Sequence, residues 1–255
     1  MTYLQFLLLF LVLPIILLGF RLPKSFQSPG DLKILFRGIA LLCGLAFVYT
    51  TPWDNYLVKN KIWWYGPDKV MGVIGYVPIE EYCFFILQTV FTGILLWMWR
   101  RPFLSSDEGE ALSPKIVGAV IYGGLSIAGI IMFFKDETKY LGLILGWACP
   151  VMLLQWLIGG HVLWQRRGRL LSLLAAATIY LCFADALAID LEIWTISSKY
   201  TTGFALGGLP LEEALFFLGT NIMVIQGLDL VWSYREGWEL GKLGQVKALK
   251  AFKVV

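Results

Sequence analysis

Seven apolar segments of about twenty residues alternate along this chain with short polar or aromatic stretches. They run at roughly Thr2–Phe20, Ile34–Thr51, Pro78–Trp99, Ile116–Phe134, Tyr140–Val162, Leu170–Ile189 and Pro210–Trp232. A helix crossing a bilayer core needs about 20 mostly apolar residues, so the pattern predicts an all-α integral membrane protein with about seven transmembrane helices. Several segments end in turn or charge signals, as at Arg100-Arg101-Pro102 and Arg166-Arg167-Gly168. Between the second and third segments, Pro52–Val77 mixes Trp53, Tyr56, Trp63, Trp64, Tyr65 and Tyr76 with scattered charges. It reads as a loop or short helix lying in the membrane interface. Met1 to Phe20 has neither a basic leader nor a small-residue cleavage site, so it is expected to be a retained helix.

The pattern is written twice. Val77-Pro78-Ile79-Glu80-Glu81-Tyr82-Cys83-Phe84-Phe85 returns as Leu209-Pro210-Leu211-Glu212-Glu213-Ala214-Leu215-Phe216-Phe217. Asp54 matches Asp185, and Ile62-Trp63 matches Ile193-Trp194, at an offset of 131; the proline motifs follow at an offset of 132. Tyr3-Leu4 with Pro14 echoes Tyr140-Leu141 with Pro150. Helices one to three and five to seven are therefore expected to be two copies of one unit. An odd linker helix between them leaves the copies parallel. The implied division is a first repeat at 1–100, a linker at 101–138, a second repeat at 139–235 and a basic tail at 236–255.

Composition supports the membrane assignment: 58% of residues are hydrophobic and 15% charged, against about 25% charged in a soluble domain. Eleven Trp and eleven Tyr suit a chain with much surface at the lipid–water boundary. A net charge of +3, scattered along the chain, does not suggest nucleic acid. Cys43, Cys83, Cys149 and Cys182 lie in apolar segments without paired spacing, and His161 is the sole histidine, which removes a His-cluster metal site. The basic residues set an orientation. Arg21, Lys24, Lys33, Arg100, Arg101, Lys115, Arg166, Arg167, Arg169 and Arg235 fall on one side, with Lys242, Lys247, Lys250 and Lys253 of the tail. The other side has Lys59, Lys61, Lys69, Lys135, Lys139 and Lys199, and every arginine, counting Arg37, falls on the first. The expectation is a multi-pass cell-membrane protein, N-terminus outside and C-terminus cytoplasmic, with both glutamate pairs entering from the outer face. The tail reads as a segment near anionic headgroups or as a solvated one.

The candidate chemistry lies in Glu80, Glu81, Glu212, Glu213, Asp54 and Asp185, since ionisable groups within a bilayer tend to mark function. The ordinary explanation is that acids in a helix's first turn satisfy its unpaired donors and its dipole. Repetition weighs against it, because each copy joins two glutamates to an aspartate at the preceding helix end. Consecutive helical residues point about 100° apart, so only one glutamate of each pair can face the bundle squarely. Glu80 shares a stripe with Phe84 and Gln88, and Glu81 with Phe85; Glu212 lies above Phe216 and Glu213 above Phe217. The expected arrangement is a pair of carboxyls holding one proton, suited to acid–base chemistry. Gln88-Thr89 and Thr220-Asn221 occupy the next turns, where they can position a carboxyl or bond neighbouring helices.

The paired Pro-x-Glu-Glu-x-x-Phe-Phe motifs, the preceding Asp54 and Asp185, and Thr220-Asn221 resemble the flavin-independent membrane lycopene cyclases. The likeness covers nearly the whole chain. It is to the fused two-repeat form, and it extends to the cyclase half of fungal bifunctional carotenoid enzymes. One departure is that Asn55-Tyr56 of the first copy faces Ala186-Leu187 of the second, so the halves can play unequal roles. The resemblance implies redox-neutral cyclisation of lycopene's ψ end groups to β-rings, by way of γ-carotene to β-carotene. It implies lycopene and related carotenoids as ligands, the bilayer as medium, other carotenoid-pathway membrane enzymes as partners and no cofactor. Under it, one glutamate of each pair, Glu80 or Glu81 and Glu212 or Glu213, serves as acid or base, and Asp54 and Asp185 tune or relay protons. Phe84, Phe85, Phe216, Phe217, Trp63, Trp194 and Asn221 contact substrate, the aromatic faces stabilising a passing cation. No Gly-x-Gly-x-x-Gly fingerprint of the soluble flavin-dependent cyclases is present. Two other readings stay open: a membrane prenyltransferase using magnesium on acids such as Asp185 and Asp190, and a small-solute carrier built from parallel three-helix repeats.

Overall fold

The computed structural model describes residues 1–26, 28, 30–99 and 112–251, and side chains for all of these but 112 and 235–251. Arg100, Arg101, Ser105–Glu110 and Lys253 lie outside the described residues, as do the side chains of Arg235, Lys242, Lys247 and Lys250. Seven helices among the described residues are long and apolar enough to span a membrane. They are α1 (Tyr3–Ser25), α2 (Asp31–Lys59), α3 (Ile79–Trp99), α4 (Leu112–Phe133), α5 (Lys139–Gln165), α6 (Arg167–Asp190) and α7 (Leu211–Ala251). Short strands lie between helices: β1 (Trp63–Tyr65), β2 (Val73–Ile74) and β3 (Val77–Pro78) before α3, then β4 (Trp194–Ile196), β5 (Ala205–Leu206) and β6 (Leu209–Pro210) before α7. This is an all-α membrane protein.

Prolines mark where the helices depart from regularity. Pro14 follows a π-helical turn at Leu8–Val12 and has no N–H for the carbonyl four residues back, that of Phe10. The Tyr180 hydroxyl of α6 donates to that carbonyl instead, at 2.9 Å, re-satisfying a freed backbone group with a neighbouring helix. Pro52 lies inside α2, which continues to Lys59. The break expected at Thr51 does not occur, so Asp54 sits in the helix's last turns and not in an interfacial loop. Tyr49 and Trp53 tie this end of α2 to α5 by donating to the carbonyls of Trp147 and Leu143, at 2.9 and 3.1 Å.

Burial identifies the central helices. Within the apolar windows, 61% of α3 and 56% of α7 is buried, against 11% of α4. The two glutamate-bearing helices are thus the core, and α4 is peripheral. It holds to α5 by backbone approach: a Cβ on Gly129 would stand 2.7 Å from the Gly146 nitrogen, and one on Gly142 would stand 2.7 Å from the Gly129 oxygen. Small residues permit such contact in membrane bundles. Above the core, β1 pairs antiparallel with β4, Trp63 opposite Ile196 and Tyr65 opposite Trp194. That pairing joins the two interhelical segments directly. The hairpins β2–β3 and β5–β6 turn through left-handed Gly75 and through Gly207-Gly208.

At the other end of the bundle, Arg166 donates to Asp229 Oδ1 at 2.6 Å and to Ser233 Oγ at 2.9 Å, tying the α5–α6 corner to α7. Both charged side chains are largely buried. Removing one partner of such a pair leaves a buried charge, at a cost of about 3–5 kcal/mol. Asp229→Ala is therefore expected to lower the thermal midpoint of the detergent-solubilised protein by several degrees. Asp136→Asn, which removes the exposed pair with Lys139, is expected to leave it unchanged. Equal midpoints for both variants would refute the assignment of a structural role to Arg166–Asp229.

Candidate active site

The two glutamates of each pair diverge, as the 100° step requires. Glu80 is 1% and Glu212 0% exposed, and each turns towards the loop before its helix. Glu80 accepts from the Met71 backbone N–H at 2.8 Å, and Glu212 from the Thr202 N–H at 2.7 Å. The second oxygen of each has no hydrogen-bond partner among the described residues. These carboxylates hold the loops that carry the two hairpins.

Glu81 and Glu213 instead line one cavity of about 40 Å³, within electrostatic reach of each other. Tyr3, in the first turn of α1, donates to Glu81 Oε2 at 2.6 Å, and Tyr65 of β1 donates to the same oxygen at 3.0 Å. Tyr140, in the first turn of α5, donates to Glu213 Oε1 at 2.6 Å. The position of Tyr65 in β1 corresponds to Ile196 in β4, so Glu213 takes one hydroxyl bond where Glu81 takes two. Burial, reinforced by the neighbouring Glu81 and Asp54 carboxylates, holds the Tyr65 hydroxyl well above the usual tyrosine range, keeping it a donor.

Asp185 lines the same cavity, in electrostatic reach of Glu213, and Asp54 lies outside its lining, in electrostatic reach of Glu81. Asp185 Oδ1 accepts from the Trp194 indole N–H at 3.0 Å. Asp54 is fully buried, and neither of its oxygens has a partner among the described residues; the Trp63 indole nitrogen, at the place equivalent to Trp194, also has none. The two halves thus match in residue types and differ in bonding.

Trp63 and Tyr65 of β1 and Trp194 and Ile196 of β4 line the cavity, joined by Phe84, Phe216, Phe217 and by Phe6 and Phe10 of α1. The rings meet edge to face, with Phe6 and Trp194 centroids 5.2 Å apart and Phe216 and Phe217 also 5.2 Å apart. Two of the expected contact residues lie elsewhere. Phe85 faces a separate lipid-side groove. Asn221 bonds Thr92 and Thr178 at 3.0 and 3.2 Å, joining α7 to α3 and α6, as Gln88 joins α3 to α7 through Thr220 at 2.7 Å. Tyr3, Tyr65 and Tyr140 were not among the candidate residues. The echo of Tyr3-Leu4 in Tyr140-Leu141 carried the signal for two of them, and for Tyr65 there was none.

An aromatic cavity lined by three carboxyls, Glu81, Asp185 and Glu213, and two phenols, Tyr3 and Tyr65, can give a proton to a bound hydrocarbon, shelter a cation and take a proton back. A sequence profile of the family described as lycopene cyclase matches residues 1–99 and 137–228. The chain is similar to a lycopene beta-cyclase of Halobacterium salinarum, 38% identical over 234 residues that cover 90% of this chain and 95% of the relative. It is also similar to bifunctional lycopene cyclase/phytoene synthases. The one from Phycomyces blakesleeanus is 37% identical over 88% of this chain and 38% of its own, and the one from Aspergillus niger is 36% identical over 74% and 34%. No solved structure matches.

Glu80→Ala and Glu212→Ala are expected to speed backbone amide exchange at Met71 and Thr202 by tenfold or more, since a hydrogen bond to a charged group is worth about 1.5–3 kcal/mol. The glutamine variants retain an acceptor and should exchange more slowly than the alanine ones. Unchanged protection in the alanine variants would remove these residues from the loop-holding role.

Proposed function

Because this chain belongs to the lycopene cyclase family, we propose that it closes the ψ end groups of lycopene to β-rings, giving γ-carotene and then β-carotene. The observation that carries this reading is the cavity in which Glu81 and Glu213 face one another among aromatic rings. The reaction needs one proton in, one proton out and no electrons. A carboxylic acid protonates the terminal alkene, leaving a tertiary cation. The electron pair of the nearby double bond then forms the ring bond and moves the positive charge onto the ring. Loss of an adjacent ring proton returns its C–H electron pair as the β double bond. Faces of Phe84, Phe216, Phe217, Trp63 and Trp194 stabilise the cation, each by about 2 kcal/mol or more when water is excluded. The prenyl-transfer and carrier readings gain no support.

Within this reading Glu213 is the acid and Glu81 the base. Two hydroxyl donors on Glu81 Oε2 suit a resident carboxylate, because hydrogen bonds to the charged form favour it. Glu213, with a single hydroxyl donor, is the better carrier of the proton. Each turnover moves one proton from Glu213 to the substrate and another from the ring to Glu81. The enzyme resets when Glu81 returns its proton to Glu213 across the shared cavity, with Asp54 and Asp185 as positioning residues. The same reading takes 1–100 and 139–235 as parallel three-helix units joined by 101–138. It is supported by the matched bonds Tyr3–Glu81 and Tyr140–Glu213, and Met71–Glu80 and Thr202–Glu212. The cavity end lies on the outer side and the arginine-rich end in the cytoplasm. A membrane-impermeant thiol reagent on intact cells should label Leu206→Cys and spare Lys115→Cys; the reverse would invert the orientation.

In cells making lycopene, Glu81→Gln and Glu213→Gln are each expected to lower cyclisation by roughly a hundred- to ten-thousand-fold. Their by-products should differ. Without its base, Glu81→Gln still forms the cation and should release traces of rings with the double bond elsewhere. Glu213→Gln should return lycopene alone. The opposite pattern would exchange the two roles, and full activity in the double variant would end the cyclase reading of this cavity.

A further inference from the structure

A second space lies beside the acid cavity, a groove of about 1070 Å³ walled by α2 and α5 over α3 and α7. It is lined by Leu45, Ala46, Val151, Leu154 and Ile158, several of them exposed to lipid. Polar groups on its floor largely bond to protein: Gln88 donates to Thr220, Thr89 to the Phe85 carbonyl and Gln155 to the Met223 carbonyl. Their donors being engaged, the surface suits a hydrocarbon. Phe216 is the one residue that lines both groove and acid cavity. At this junction it stacks on Trp53 at 5.8 Å and 4°, with Trp147 stacked on Trp53 at 4.5 Å and 18°. From Phe216 to Tyr234, both of which line the groove, α7 rises about 27 Å at 1.5 Å per residue. That is close to the ~30 Å hydrocarbon core of a bilayer, the scale of an extended carotenoid.

Resting on the cyclase reading, we propose that this groove is the bed of lycopene's conjugated chain, and that Phe216 is the threshold its reacting end group crosses. The flat rings of Trp147 and Phe216, which line the groove, match the face of a planar polyene. The remote end lies near Ile158 and Tyr234, far from the carboxyls that line the cavity. One groove leading to one cavity admits one end at a time. The monocyclic product therefore leaves and re-enters reversed before the second ring closes.

Full-length protein in proteoliposomes tests this with Ala46→Trp and Val151→Trp, which fill the groove from its two walls and touch no carboxyl. Ile179→Trp, on the lipid face of α6, serves as control. The expected result is a tenfold or greater fall in kcat/KM for lycopene in the two groove variants. Cyclisation of a truncated polyene with one ψ end, short enough to stop before the filled region, should persist in both. The Ile179 control should match the native protein on both substrates. Native kinetics on lycopene in both groove variants would overturn the groove while leaving the cyclase reading intact. A lipid chain as the natural occupant predicts equal effects on long and short substrates, and that too would overturn it. Failure of the native protein to cyclise either substrate would instead defeat the parent reading. Added unlabelled γ-carotene should dilute the label passing from lycopene into β-carotene, and undiminished label would refute release between rings.

Discussion

A carboxyl buried in a membrane bundle must find donors or another proton, because neither lipid nor apolar side chains can solvate it. Here tyrosine hydroxyls meet that need. Tyr3 reaches Glu81 from the first turn of α1, and Tyr140 reaches Glu213 from the first turn of α5, each at 2.6 Å. The rest of the site follows from these two bonds. They draw α1 and α5 against the central helices α3 and α7 at the end where the loops lie. They also aim Glu81 and Glu213 at each other, while Glu80 and Glu212 turn outward to hold backbone. The β1–β4 pairing then closes the roof with alternate residues, so that Trp63 and Tyr65 face inward and Trp64 is left exposed.

The helices were legible because a run of twenty apolar residues has few alternatives. The acidic centre was legible because it recurs. Which glutamate faces the cavity was not, since adjacent positions differ only in azimuth, and azimuth depends on what packs around the helix. The stripe rule paired Glu81 with Phe85, four residues on; the cavity pairs it with Phe84, three residues on. Both spacings share a helix face, and packing alone selects between them. The helix end expected at Thr51 also failed, because α2 continues through Pro52 to Lys59. The tyrosine partners were hidden by distance, 78 residues separating Tyr3 from Glu81 and 73 separating Tyr140 from Glu213. Asn221 stood open between positioning a carboxyl and bonding neighbouring helices, and its bonds here run to Thr92 and Thr178 of those helices.

The departures between halves are where the frame stops being symmetric. Asn55 accepts from the Tyr76 N–H at 2.9 Å and donates to the Tyr82 hydroxyl at 3.2 Å, pinning the β2–β3 hairpin to α2. The corresponding positions in the second half are Ala186 and Ala214, which offer no such bonds. Both hairpins present apolar side chains outward, Val73 and Ile74 in the first and Phe204 and Leu206 in the second, where they favour the membrane interface. Tyr65 opposite Ile196 carries the same inequality into the cavity.

That inequality suits the proposed cyclase chemistry. A symmetric pair of carboxyls has no preference for which gives and which takes. One extra phenol on Glu81 breaks the tie at little structural expense, since Tyr65 and Ile196 occupy equivalent places on facing strands and differ by a single hydroxyl-bearing ring. The aspartates repeat the logic, Asp185 held by the Trp194 indole and Asp54 left without a donor among the described residues. In the proposed cyclase reaction, a proton count that must return to its start after every ring is most readily kept when donor and acceptor line one cavity. The recurring glutamate motif supplies the two carboxyls, and a few unmatched side chains supply their difference.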